Sequence, residues 1–160
     1  MKKLLVLGIG NILLKDEGIG VRAVQELAKR EWPEGVDFLD GGTFTQDLFY
    51  LFEQYRHILV LDCIKGGKSP GTIYKLHQKD LLYNEKQSIS LHDIDLLDSL
   101  KMVELLGKSP ELTVLGVEPS QLEWHLGLSP ELENVLPTFL EVVTKEIQKI
   151  LSDGINKTDV

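Results

Sequence analysis

Apolar residues along this chain alternate between two spacings, one of strands and one of helices. Lys3–Gly8 is a short, continuous apolar run closed by glycine, the pattern of a strand buried on both faces. From Gly18 the period changes. Val21, Val24, Leu27 and Ala28 recur at helical spacing, with Arg22, Gln25 and Lys29 on the other side. Val36–Asp40 predicts a second strand ending at Gly41-Gly42, followed by a helix over about Thr45–Gln54 with Thr43 or Thr45 as its cap. His57–Asp62 predicts a third strand, and Lys65–Gly71, rich in Gly, Lys, Ser and Pro, a turn or loop. Thr72–Leu76 predicts a fourth strand, while Gln78–Ser88 is polar and carries no pattern that assigns structure. Ile94, Leu97, Leu100 and Val103 trace a helix face stopped by Gly107 and Pro110. Leu112–Val117 predicts a fifth strand, and a closing helix runs from Ser129-Pro130 to about Leu151.

Strands alternating with helices predict an α/β fold: a three-layer α/β/α sandwich around a mainly parallel twisted sheet of about five strands. There is no internal repeat, linker or low-complexity tract. A single α/β domain is therefore expected over residues 1–151, with a polar, frayed tail over 152–160.

Bulk composition narrows the partners. The 160 residues hold 17 Lys+Arg against 25 Asp+Glu, a net charge of -8, which disfavours nucleic acid and anionic membrane surfaces. No apolar run approaches the length that crosses a bilayer. The opening Met1-Lys2-Lys3-Leu4 superficially resembles a signal peptide. Gly8, Gly10, Asn11 and the charged Lys15-Asp16-Glu17 oppose that reading, so a mature, folded amino terminus is expected. One cysteine, Cys63, forms no internal disulfide, which fits a reducing, cytoplasmic setting.

Sites of open α/β sheets form beyond the carboxyl ends of the strands. Asp16/Glu17, Asp40 and Asp62 all sit at such ends. Each one alone reads first as a helix-capping residue, and it is their convergence on one sheet edge that marks a site. Gly8-Ile9-Gly10 begins a dinucleotide fingerprint, but Leu13 occupies the third glycine position and Asp16/Glu17 would repel a pyrophosphate. The glycines instead let the backbone turn sharply and hold Glu17 at the mouth of the sheet. His92 is in isolation a surface or capping histidine. With Glu17 and Asp62 it would make a two-oxygen, one-nitrogen set suited to a borderline divalent metal. Cys63, on the face of its strand opposite Asp62, reads as a small buried hydrophobe and not a nucleophile.

Gly8-Ile9-Gly10-Asn11-Ile12-Leu13-Leu14-Lys15-Asp16-Glu17-Gly18-Ile19-Gly20-Val21-Arg22 resembles the amino-terminal signature of the hydrogenase maturation proteases. Those endopeptidases trim the carboxyl terminus of the large subunit of nickel-iron hydrogenases. The resemblance continues through Asp40-Gly41-Gly42-Thr43, Asp62, Ser90-Leu91-His92, Gly116-Val117-Glu118-Pro119 and His125-Leu126-Gly127-Leu128-Ser129-Pro130. It implies a nickel-contacting trio at Glu17, Asp62 and His92, with Asp40 as a catalytic candidate and Gly41 and Gly42 as substrate-binding positions. The implied partner is a large-subunit precursor that itself supplies the nickel, and another divalent metal such as zinc suits the same donors. Activity would be that of an aspartyl-type or metal-dependent endopeptidase. A non-enzymatic nickel-handling chaperone of hydrogenase assembly is the rival expectation.

Overall fold

A computed structural model describes residues 2–43, 46–78, 80, 101–102, 104–105, 107 and 110–158. Five strands, β1 (Lys2–Ile9), β2 (Val36–Gly42), β3 (Tyr55–Cys63), β4 (Ile73–His77) and β5 (Glu111–Val117), form one sheet in the order β2-β1-β3-β5-β4. β1 pairs in parallel with β2 and β3, and β3 with β5, whereas β4 runs antiparallel to β5. The reversal at β4 has a physical cause. Only residues 64–72 separate β3 from β4, too few for the dozen or so residues of a crossover that returns a strand in parallel.

The central strands are buried on both faces, as their continuous apolar runs predict. Leu4, Val6, Leu59, Leu61 and Cys63 face one layer. That layer is α1 (Ile19–Ala28) and the closing helix α2 (Pro130–Thr158), which contribute Ala23 and Leu27, and Leu136, Phe139, Val143 and Ile147. Leu5, Leu7, Ile58, Val60 and Val114 face the other side, where Leu51 and Phe52 pack. Those two lie on Gln46–Glu53, where the expected helix is present and winds as a 3-10 helix. Its Phe49-Tyr50-Leu51-Phe52 stretch is poor in strong helix formers.

The closing helix also differs from expectation, continuing past Leu151 to Thr158. No proline interrupts 152–158, and its largest propensity penalty, about 1 kcal/mol relative to alanine, falls at Gly154. Most of the helix expected through Ile94, Leu97, Leu100 and Val103 lies outside the described residues, as does His92. At its far end Glu104 and Leu105 are helical, and Gly107 has the left-handed φ of +73° that ends helices. Among the described residues no helix is long and apolar enough to cross a membrane.

Candidate active site

The chain leaves β1 through Gly10, whose φ of +137° is closed to ordinary side chains. A Cβ on Gly10 would lie 2.0 Å from the Glu17 carbonyl oxygen, so the glycine lets the Glu17 turn fold directly onto the strand end. Asn11 Oδ1 accepts from the Leu13 amide at 2.9 Å, turning the chain. Lys15 then adopts a left-handed φ of +50° and opens a 3-10 helix, Lys15–Gly18. Asp16, Glu17 and Gly18 are all buried there, immediately before α1 begins.

Asp62 arrives from the adjacent strand. It is the penultimate residue of β3, fully buried, and its Oδ1 accepts the Cys63 amide at 2.7 Å. Gly116, its register partner on β5, has no side chain of its own, and Ile64 fills the space. α1 is pressed onto the same strand end at Gly20, where a Cβ would stand 2.0 Å from the Leu61 carbonyl oxygen. Glu17, just beyond β1, and Asp62, near the end of β3, are thus both buried at the carboxyl edge of neighbouring parallel strands. Cys63 senses both: burial first, then the charges of Asp62, Glu17 and Asp16, push its thiol pKa far up. A thiol held neutral and packed among the α1/α2 side chains is no nucleophile.

Asp40 stands apart. Its register partner Gly8 is also the partner of Leu61, so Asp40 lies across β1 from β3, two strand spacings or about 10 Å from it. Strand alternation turns Asp40 to the face of Leu61 and Asp62 to the other. Asp40 is exposed, and its Oδ1 accepts the Gly42 amide at 2.9 Å. Gly42 in turn accepts the Gly10 amide at 2.8 Å, which ties the Asp40-Gly41-Gly42 corner to the start of the Glu17 loop. Among the described residues no three His, Cys, Asp or Glu side chains form a metal-binding group; the third member of the expected trio, His92, is not among them.

Two buried carboxylates hold the frame of the site. Asp16 accepts the amides of Ser120, Gln121 and Ser129 and the Ser129 hydroxyl, all within 2.7–2.8 Å. Glu118 Oε1 accepts the Tyr74 hydroxyl at 2.6 Å and the Gly66 and Lys68 amides at 2.8 and 3.0 Å. Burial pushes the Glu118 carboxyl up, but Tyr74 and the amides of residues 66–68 outweigh it and hold the pKa below the ordinary value. Sequence reasoning assigned neither role. The available signal was that Glu118 and Ser129 fall inside the later motifs.

The Asp16 clamp brings the 11–18 loop against residues 120–129, where Lys15 donates to the His125 carbonyl and His125 to the Leu13 carbonyl. Four large apolar side chains stand exposed along this seam: Ile12, Leu13, Trp124 at 77% and Leu126 at 68%. Beside them opens a cleft of about 190 Å³ walled by Ile12, Leu126 and Leu128, with Lys15 and Arg22 at its side.

This geometry has known counterparts. The model of the hydrogenase maturation protease family matches residues 21–146. Hydrogenase 2 maturation protease of Escherichia coli (strain K12) is 38% identical over 150 residues, 92% of each chain. The chain belongs to the hydrogenase maturation protease family. Among solved structures, the hydrogenase maturating endopeptidase HybD from E. coli superposes with a TM-score of 0.84 at 37% identity, covering 92% of this chain and 93% of that one. The solution structure of an endopeptidase from Escherichia coli gives 0.80 at 35% identity, with the same coverage. The maturation protease is therefore a hydrolase of peptide bonds, and the rival expectation of a non-enzymatic nickel carrier falls away.

Proposed function

We propose that this maturation protease removes the carboxyl-terminal extension of a nickel-iron hydrogenase large-subunit precursor after nickel insertion. In this reading Glu17, Asp62 and His92 recognise the nickel carried by the substrate. The observation that carries it is that Glu17 and Asp62, 45 positions apart in sequence, are both buried at the carboxyl ends of the paired strands β1 and β3 and both push up the pKa of the Cys63 thiol. Burying two acids at one sheet edge is unfavourable unless a cation or hydrogen bonds compensate them. Two oxygens and an imidazole nitrogen suit nickel, and zinc equally, and leave further positions to the substrate's own ligands.

Recognition and cleavage divide between the two halves of the edge. The metal-reading residues dock loaded precursor and bring the scissile peptide to the Asp40-Gly41-Gly42 corner, where proximity lowers the barrier. Asp40 takes a proton from water as its oxygen bonds to the peptide carbonyl carbon. It returns that proton to the leaving nitrogen as the C–N bond breaks. Gly41 and Gly42 let substrate backbone approach this corner closely. The exposed Ile12, Leu13, Trp124 and Leu126 favour a folded protein as substrate over a free peptide. A cytoplasmic setting, where such precursors are assembled, agrees with the unpaired cysteine.

The test is substrate mass after incubation with nickel-loaded or nickel-free precursor. Only the loaded form should be shortened. Glu17→Ala and His92→Ala should each lower turnover by about a hundredfold, the upper end of what losing even a ligand's supporting partner costs. Equal cleavage of both precursors, or full activity in either variant, overturns the reading.

A further inference from the structure

Glu17 sits in a turn whose shape ordinary residues resist. Lys15 holds φ at +50°, a conformation that persists in a non-glycine residue only where the surroundings over-determine it. On the inner side the Glu17 carbonyl is pressed against Gly10, so the turn cannot move toward β1. On the outer side its immediate neighbour Asp16 is fully buried and fastened to the chain more than a hundred positions later. Oδ2 accepts three of its hydrogen bonds, from the Ser120 and Gln121 amides and the Ser129 hydroxyl, and Oδ1 accepts the Ser129 amide. Four donors, three of them rigid backbone, engage both oxygens and fix them in place. The Asp16 amide adds a bond to the Gln121 carbonyl at 3.2 Å.

We infer that Asp16 is a positioning residue for hydrolysis: its carboxylate pins the 15–18 turn against the 120–129 loop and so fixes where Glu17 meets the substrate's metal. This rests on the reading of Glu17 given above. An asparagine here must set an NH2 group against an N–H or O–H donor, releasing the turn while Glu17 itself is unchanged.

The experiment is a double-mutant cycle of Asp16→Asn with Glu17→Asp, reading kcat and KM on nickel-loaded precursor by mass, with circular dichroism to confirm the fold. Asp16→Asn should lower kcat at least about tenfold in the wild-type background and less than about twofold when Glu17→Asp has already displaced the carboxylate. Equal losses in both backgrounds, or unchanged kcat, overturn the inference. If Asp16→Asn fails to fold, Ser129→Ala takes its place, with Ser129→Thr expected to restore kcat. Failure of Ser129→Thr to restore a loss seen in Ser129→Ala again overturns it. Wild-type turnover by Glu17→Ala would remove the reading of Glu17 itself. Loss in Glu17→Ala with additive behaviour in the cycle removes only the role of Asp16.

Discussion

Replacing Gly20 by alanine sets two effects of opposite sign against each other. Gly20 lies in the first turn of α1, and helix propensity alone favours alanine by up to about 1 kcal/mol. Packing opposes it. The added Cβ would stand 2.0 Å from the Leu61 carbonyl oxygen, 2.6 Å from its carbon and 2.8 Å from the Ile9 carbonyl oxygen. All three are backbone atoms, so no side chain can swing away. Carbon and carbonyl oxygen approach to about 3.3 Å at closest, so the start of α1 must retreat by roughly 1.3 Å. A gap of that size beneath Ile19 and Ala23, both fully buried, forfeits about half of their dispersion contact. Overpacking of this kind costs about 1–3 kcal/mol, and with no flexible neighbour the upper half of that range applies. The net expectation is a loss of about 1–2 kcal/mol, which lowers the melting temperature of a domain this size by about 2–8 °C. Thermal and urea unfolding would read it, the urea midpoint shifting down at constant slope. An unchanged or raised midpoint would refute the packing argument and leave propensity in charge. Cleavage of loaded precursor should fall as well, because α1 follows the Glu17 turn without a linker.

Other variants separate the roles of the remaining residues. Cys63→Ala should leave precursor cleavage within about twofold of wild type, and a loss beyond the accompanying change in stability would revive the thiol. Trp124→Ala with Leu126→Ser should raise KM for precursor about tenfold or more while leaving the melting temperature within about 2 °C, since both side chains are exposed; unchanged KM would detach the patch from substrate binding. Because the folded Glu118 carboxyl lies below the ordinary value of 4.5, its stabilisation is complete above that value and drains away as pH falls through the folded pKa. Melting temperature should therefore fall more steeply with acid below about pH 4.5 in wild type than in Glu118→Gln; parallel curves would show that Glu118 carries no such share.

Much of this architecture was legible because its signals are local. The glycine-closed apolar run at Lys3–Gly8, the helical spacing from Val21 to Ala28 and the buried His57–Asp62 strand each declare their element within a few residues, and all three are present. The face assignment of Cys63 followed from strand alternation alone. The direction of β4 was not legible from its own residues, because it depends on how short the 64–72 connection is relative to the β5 position it must flank. Winding of Gln46–Glu53 as a 3-10 helix likewise escaped a pattern that marks apolar spacing and not hydrogen-bond register. Glu17 and Asp62 were singled out because they follow strand ends, and both are buried there. Asp16 was grouped with Glu17 as one more acid at the sheet edge, yet its partners lie at 120–129 and no local pattern joins positions so remote. Its burial and four donors give it a different task from its neighbour.

That remoteness orders events during synthesis. A ribosome-bound chain can form β1, α1 and β2 early, since those contacts are close in sequence. The turn at residues 15–18 must wait for Ser129, some 113 positions later, and until then Asp16 faces water with no amides to receive. Hydrolytic competence would thus arrive only after residues 120–129 have been made, which withholds a shorter nascent chain from its substrates without a separate inhibitor.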